Sequence, residues 1–103
     1  MISFTGGTVV GRAISAAGAP RLKQFSLELG GKPPVVIFDD ADLDAAIAKV
    51  TSGLITFAGQ FCMTCSRAIV QRGIADRFRT ALAERLKQVM VGPVLAAVPG
   101  LQV

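Results

Sequence analysis

Apolar positions along this chain change their period several times, and each change marks an element. Ile2 to Thr5 is β-prone, and Gly6-Gly7-Thr8 follows at once. Val9 to Ala17 reads as a small-residue helix, stopped by Gly18 and Pro20. From Arg21 to Leu29 the chain alternates in part, with Leu22, Phe25, Leu27 and Leu29 apolar, which predicts a strand broken by Gly30-Gly31. Val35-Val36-Ile37-Phe38 is a short strand of the buried type. The acidic stretch Asp39-Asp40-Ala41-Asp42 suits a helix N-terminus, through capping and the macrodipole. Leu43, Ile47, Val50, Leu54 and Phe57 then recur in steps of four, three, four and three, which predicts an amphipathic helix ending at Gly59-Gln60. Cys62 falls in the turn or loop beyond it. Ser66 to Gln71 has a strand-like centre at Ala68-Ile69-Val70, and Gly73 leads into a second long helix. Phe78, Leu82, Leu86 and Val89 mark the core face of that helix, and Gly92-Pro93 stops it. Val94 to Val103 is apolar without period or caps. Strands alternating with helices make the fold class α/β.

Composition narrows the setting. The chain's 103 residues match one small domain, and 51% hydrophobic against 17% charged residues argues against disorder. No apolar run approaches the roughly 20 residues of a membrane span, so no membrane partner is expected. The start, Met1-Ile2-Ser3-Phe4, has neither a basic n-region nor an apolar h-region, so a cytoplasmic chain is expected. Net charge is +4, but the sign is unevenly spread. Asp39, Asp40, Asp42 and Asp44 form an acidic knot, whereas Arg67, Arg72, Arg77, Arg79, Arg85 and Lys87 come later, mostly on solvated helix positions. Trp and Tyr are absent, so the basic residues read as solvated surface and no nucleic-acid partner is expected.

The candidate chemistry centres on Gly59-Gln60-Phe61-Cys62-Met63-Thr64-Cys65-Ser66-Arg67, in a chain without histidine. A nucleophilic cysteine usually relies on an imidazole, so a carboxylate or backbone electrostatics must assist Cys62 here. Glu28, in Leu27-Glu28-Leu29-Gly30-Gly31-Lys32, is the placed candidate base. The C-x-x-C spacing of Cys62 and Cys65 suits a redox pair or half a zinc site, but no further Cys or His exists to complete a zinc site within the chain, and no metal is expected. The Gly-Gly-x-x-x-Gly run at Gly6, Gly7 and Gly11 can present backbone N–H groups to a phosphate, although it differs from the G-x-G-x-x-G fingerprint. Structural readings stay open at this level: cysteine is among the most buried and inert residue types, and a glutamate before Gly-Gly is usually a surface or capping residue.

Taken in order, Phe4-Thr5-Gly6-Gly7-Thr8, Leu27-Glu28-Leu29-Gly30-Gly31-Lys32, Asp40-Ala41-Asp42-Leu43-Asp44, Gly59-Gln60-Phe61-Cys62 and Ser66-Arg67 closely resemble the aldehyde dehydrogenase superfamily, from about Ser3 to Pro93. The resemblance implies oxidation of a small-molecule aldehyde to a carboxylic acid with NAD or NADP. Cys62 matches the family nucleophile, which forms a thiohemiacetal and then a thioester. Glu28 matches the general base that activates water, and the backbone N–H of Cys62 supplies half of the oxyanion hole. Thr5, Gly6 and Gly7 match the turn beside nicotinamide and pyrophosphate, Gly11 lies in the following helix, and the Leu29 backbone matches the carboxamide contact. The implied fold is a partial one. Residues 1–26 end a Rossmann-like cofactor domain, 27–93 begin the catalytic domain, and 94–103 form a tail that departs from the family pattern. Full-length members form homo-oligomers.

Departures accompany the match. Gly7 replaces a common Ser, Thr64 stands where Ala or Gly is usual and is expected to crowd the nucleophile loop, and Pro33 follows Lys32. Cys65 matches no required family residue and is given a mainly structural role. Family members are several times longer, both ends of this chain look cut, and a frameshift or truncation would produce the tail. The isolated chain is therefore expected to be inactive and its apolar faces to favour association. Two alternatives accompany this reading: a non-catalytic remnant or interaction module, and a C-x-x-C thiol redox protein.

Overall fold

Two parallel strand pairs, each joined by a helix, make up the computed structural model, which describes residues 1–92. The first pair lies in a compact unit from Met1 to Gly31, the second in a unit from Lys32 onward. Parallel strands need a crossover rather than a tight turn, and in each unit a helix supplies it.

In the first unit β1 (Ile2–Gly6) leads through Gly7 into α1 (Thr8–Gly18), and β2 (Phe25–Leu29) pairs with β1 in the register Ile2 with Phe25 to Gly6 with Leu29. Ile2, Phe4, Phe25, Leu27 and Leu29 are half-buried, while Ser3, Thr5, Ser26 and Glu28 are exposed, the period-two alternation of a sheet covered on one face. Glycines let α1 lie close to that face. A Cβ on Gly11 would sit 2.9 Å from the Leu29 side chain, and one on Gly18 would meet the Phe25 ring. The strand expected from Arg21 begins only at Phe25. A 3₁₀ turn, Ala19–Arg21, follows α1, and Leu22 then adopts a left-handed backbone (φ 49, ψ 38). The Leu22 and Lys23 N–H groups bond back to the carbonyls of Ala19 (2.9 Å) and Gly18 (3.3 Å). These bonds satisfy carbonyls left free at the helix end, and they hold Leu22 92% exposed.

In the second unit β3 (Pro34–Ile37) pairs with β4 (Arg67–Val70), with α2 (Leu43–Ile55) between them and α3 (Ala75–Leu86) after β4. Proline opens β3 because a strand's first residue can forgo a ladder N–H. Asp42 caps α2, its carboxylate accepting from the Ala45 N–H at 3.0 Å. Ile37, Ile47, Val50, Ile74 and Phe78 form the buried core, with Val35, Leu43, Leu54, Val70 and Leu82 packed against it. The expected stripe of α2 thus reaches Leu54 but not Phe57. The helix ends at Ile55, a 3₁₀ segment follows (Thr56–Gly59), and Phe57 is 63% exposed. Likewise α3 stops at Leu86, so Val89 lies beyond it and Gly92-Pro93 does not end it. Phe38 falls just outside β3 and is exposed.

β2 straddles the expected 26/27 boundary, and the compact units divide after Gly31. The expected tail, 94–103, lies outside the described residues. No helix among the described residues is long and apolar enough to cross a membrane.

Candidate functional site

The carboxyl ends of β1 and β2 gather most of the candidate residues. Thr5 is the register partner of Glu28, and Gly6 of Leu29. Adjacent strands run about 4.8 Å apart, so Thr5 and Glu28 stand side by side on the exposed face of the pair, opposite α1. Their place follows from the alternation: Phe4, Leu27 and Leu29 take the covered positions, which leaves Thr5 and Glu28 to the other side.

Gly7 follows as the N-cap of α1, with extended backbone (φ −74, ψ 146) and no side-chain capping bond. Its carbonyl accepts the Gly11 N–H at 3.0 Å, the first bond of the helix, which leaves the N–H groups of Thr8, Val9 and Val10 as the free donors of the first turn. No acidic residue occupies that turn, and a Cβ on Gly7 would meet nothing within 4 Å. An open, positively polarised helix start at the carboxyl end of parallel strands fits a phosphate-bearing cofactor. The other glycines have packing reasons of their own. A Cβ on Gly6 would run into the Phe4 ring, and Gly11 makes room for Leu29.

Cys62 belongs to the second unit. Three successive left-handed residues, Phe57 (φ 50), Ala58 (φ 54) and Gly59 (φ 77), reverse the chain after α2. Only the last is a glycine, so two residues are held in a conformation that costs an L-residue about 1–2 kcal/mol. The reversal places the Phe57 ring edge-on to Phe61, with centroids 5.6 Å apart and planes at 77°. A tight turn follows, closed by the Thr64 N–H to the Phe61 carbonyl (3.1 Å), and Cys62 and Met63 occupy its two central positions, both exposed. The Cys62 N–H bonds to no other described residue. A thiol and a free amide at the tip of a fixed turn can meet a carbonyl carbon and its oxygen together.

Behind the tip the loop is anchored. Thr64 is 3% exposed, so the residue expected to crowd the nucleophile is turned into the interior. Cys65 is half-buried against the core, and a Cβ on Gly53 of α2 would lie 2.7 Å from its sulfur and 3.3 Å from its backbone nitrogen. Both cysteines are free thiols. Gly53 escaped the sequence reading. The signal was available, since a glycine inside a helical apolar stripe usually has a packing reason.

Comparison with known proteins matches this architecture to one family. The model of the aldehyde dehydrogenase family matches residues 1–99. The chain is 45% identical over 91 residues to the mitochondrial succinate-semialdehyde dehydrogenase of Arabidopsis thaliana, covering 88% of this chain and 17% of that protein. It is equally 45% identical to the salicylaldehyde dehydrogenase of Pseudomonas sp. (strain C18), covering 88% of this chain and 19% of the relative. Among solved structures, betaine aldehyde dehydrogenase from Staphylococcus aureus, in complex with NAD+, superposes with a TM-score of 0.88 at 40% identity, over 97% of this chain and 20% of the other. The chain thus spans about a fifth of the length of these relatives. With the α/β units, the cysteine turn and the matched residues in agreement, the chain belongs to the aldehyde dehydrogenase family.

Proposed function

We propose that this chain is the nucleophile-bearing segment of an NAD(P)-dependent aldehyde dehydrogenase, and that Cys62 and Glu28 carry its chemistry. Cys62 attacks the aldehyde carbonyl, and its own backbone N–H donates to the oxygen as negative charge develops there. Bound NAD or NADP supplies the hydride acceptor. Cys62 then holds the acyl group as a thioester, and Glu28 takes a proton from the water that releases the carboxylic acid. Thr5, Gly6, Gly7 and the start of α1, with the Leu29 backbone, hold the cofactor's phosphates and nicotinamide, and Gly11 seats that helix on β2. In this reading the compact unit Met1–Gly31 closes a cofactor domain, and the unit from Lys32 opens a catalytic one.

One observation carries the reading most: Cys62 stands exposed at the tip of a hydrogen-bonded turn whose flanks are anchored, unlike the buried, inert setting typical of the residue type. Because the chain spans about a fifth of its relatives' length, the activity is proposed for the full-length enzyme in which such a segment sits. The test uses a chimera in which residues 1–92 replace the matching segment of a full-length relative. With aldehyde and cofactor, mass spectrometry is expected to find the acyl adduct on Cys62, and Cys62→Ala to abolish both adduct and turnover. Turnover that survives Cys62→Ala would refute the assignment.

A further inference from the structure

The turn that carries Cys62 is fixed from both sides, and the two anchors differ in kind. On the far side Cys65 packs against the core, close to Gly53. On the near side stands the reversal Phe57-Ala58-Gly59, left-handed at all three residues. It is tied at successive points. The Phe57 carbonyl accepts the Gln60 N–H at 3.0 Å, and the Phe57 ring lies edge-on to Phe61, whose own carbonyl accepts the Thr64 N–H and closes the turn. A Cβ on Gly59 would come 3.2 Å from the Leu54 carbonyl, so the reversal folds back onto the end of α2. Phe57 is an unfavourable residue for this place. A bulky side chain at positive φ is an outlier among L-residues, which leave that region mostly to Gly, Asn and Asp. Its three-residue step from Leu54 also continues the apolar stripe of α2, so a longer helix competes with the reversal. Phe57 is 63% exposed, so burial does not hold it there. Strain of this kind persists only where the surroundings enforce it, and it gathers at functional sites.

We propose that Phe57 is a positioning residue for the nucleophile: its left-handed backbone aims the Cys62 turn, and its edge contact with Phe61 holds that backbone against continuation of α2. This rests on the reading of Cys62 as the nucleophile. A rotation at Phe57 swings every atom between Gln60 and Cys62, and attack needs the sulfur and the Cys62 N–H aligned together on one carbonyl. The contact between the rings supplies what the residue type lacks. A residue at 57 that tolerates the left-handed region therefore needs no ring, whereas one that rejects it loses the turn.

The test separates ring from backbone with four substitutions. Phe57→Tyr keeps the ring, Phe57→Asn and Phe57→Gly lack it but tolerate the left-handed region, and Phe57→Val lacks it and, being β-branched, rejects that region. Amide exchange in the full chain reads the turn at the Thr64 N–H. Its protection is expected to fall about tenfold in Phe57→Val, the shift a left-handed penalty produces, while that of Val50 in α2 is unchanged. The Tyr, Asn and Gly forms are expected to keep it. In the chimera described above, Phe57→Val is expected to lower kcat by at least about tenfold with the KM for cofactor unmoved, and Phe57→Asn to restore kcat. A Phe57→Val form that keeps either the parental Thr64 protection or the parental kcat would overturn the proposal, as would Asn and Gly forms that lose as much as Val. The Cys62→Ala chimera separates the two claims. If it is inactive while Phe57→Val keeps the parental kcat, positioning alone fails; if it turns over, the nucleophile reading fails and this inference with it.

Discussion

A glycine within a helix normally weakens it, so Gly53 of α2 needs a compensating reason, and Cys65 provides one. An alanine there would gain about 0.5–1 kcal/mol of helix propensity. Its Cβ would also press on the Cys65 sulfur at 2.7 Å and on the backbone nitrogen at 3.3 Å, and the second contact cannot be relieved by a side-chain rotation. Overpacking of this sort costs about 1–3 kcal/mol, so the clash should win. Gly53→Ala is expected to lower the denaturant midpoint of the chain, and to lower it less in a Cys65→Ala background, where the sulfur contact is gone. Additive effects in that double-mutant cycle would show that the two residues do not share the seat. At this scale Cys65 acts as a packing residue behind the Cys62 turn. Its sulfur lies against α2, which favours the structural role over a resolving partner for Cys62.

The ends of the elements depend on bonds that hydrophobic periodicity does not register. Asp42 illustrates an end that was readable: a short acidic residue just before an apolar stripe, its carboxylate bonded to the Ala45 N–H. Asp42→Ala is expected to destabilise the chain by about 1 kcal/mol, read as a shift in thermal or denaturant midpoint, with the strand pairs retained. The strands were legible because Val35 to Ile37 and Ala68 to Val70 are too short and apolar to be much else, and because Phe25, Leu27 and Leu29 alternate cleanly. The far ends of the helices were not. Phe57 continues the spacing of α2, yet Phe57 and Ala58 turn left-handed without the glycine that would announce it, and Gly59 signals the break late. Val89 continues the spacing of α3 three residues past its last turn at Leu86. Leu22 extended an apparent strand because its apolar side chain sits in a helix stop that exposes it. The family was legible from the order of short motifs, and the exposed positions of Cys62 and Glu28 follow from their turn and strand alternation. The Gly53–Cys65 seat and the Phe57–Phe61 pair were not, because each joins residues through a reversal that only the backbone reveals.

At the scale of the molecule, the chain carries short parallel sheets that relatives embed in a protein about five times as long. Parallel sheets are ordinarily covered on both faces. Here the outer face of the β3–β4 pair leaves Val36 and Ile69 more than half exposed, with Phe38 beside them. The chain carries the residues proposed as nucleophile, base and cofactor turn, and its full-length relatives are about five times as long. The division of labour between Cys62 and Glu28 is therefore best examined in the full-length chimera, by rapid-mixing measurement of NAD(P)H formation in parent and Glu28→Gln forms. If Glu28 serves thioester hydrolysis, Glu28→Gln should give a burst of one NAD(P)H per site, followed by a steady rate at least about 100-fold below the parent, within the span of general-base contributions. A Glu28→Gln form that turns over at the parental steady rate would contradict the account.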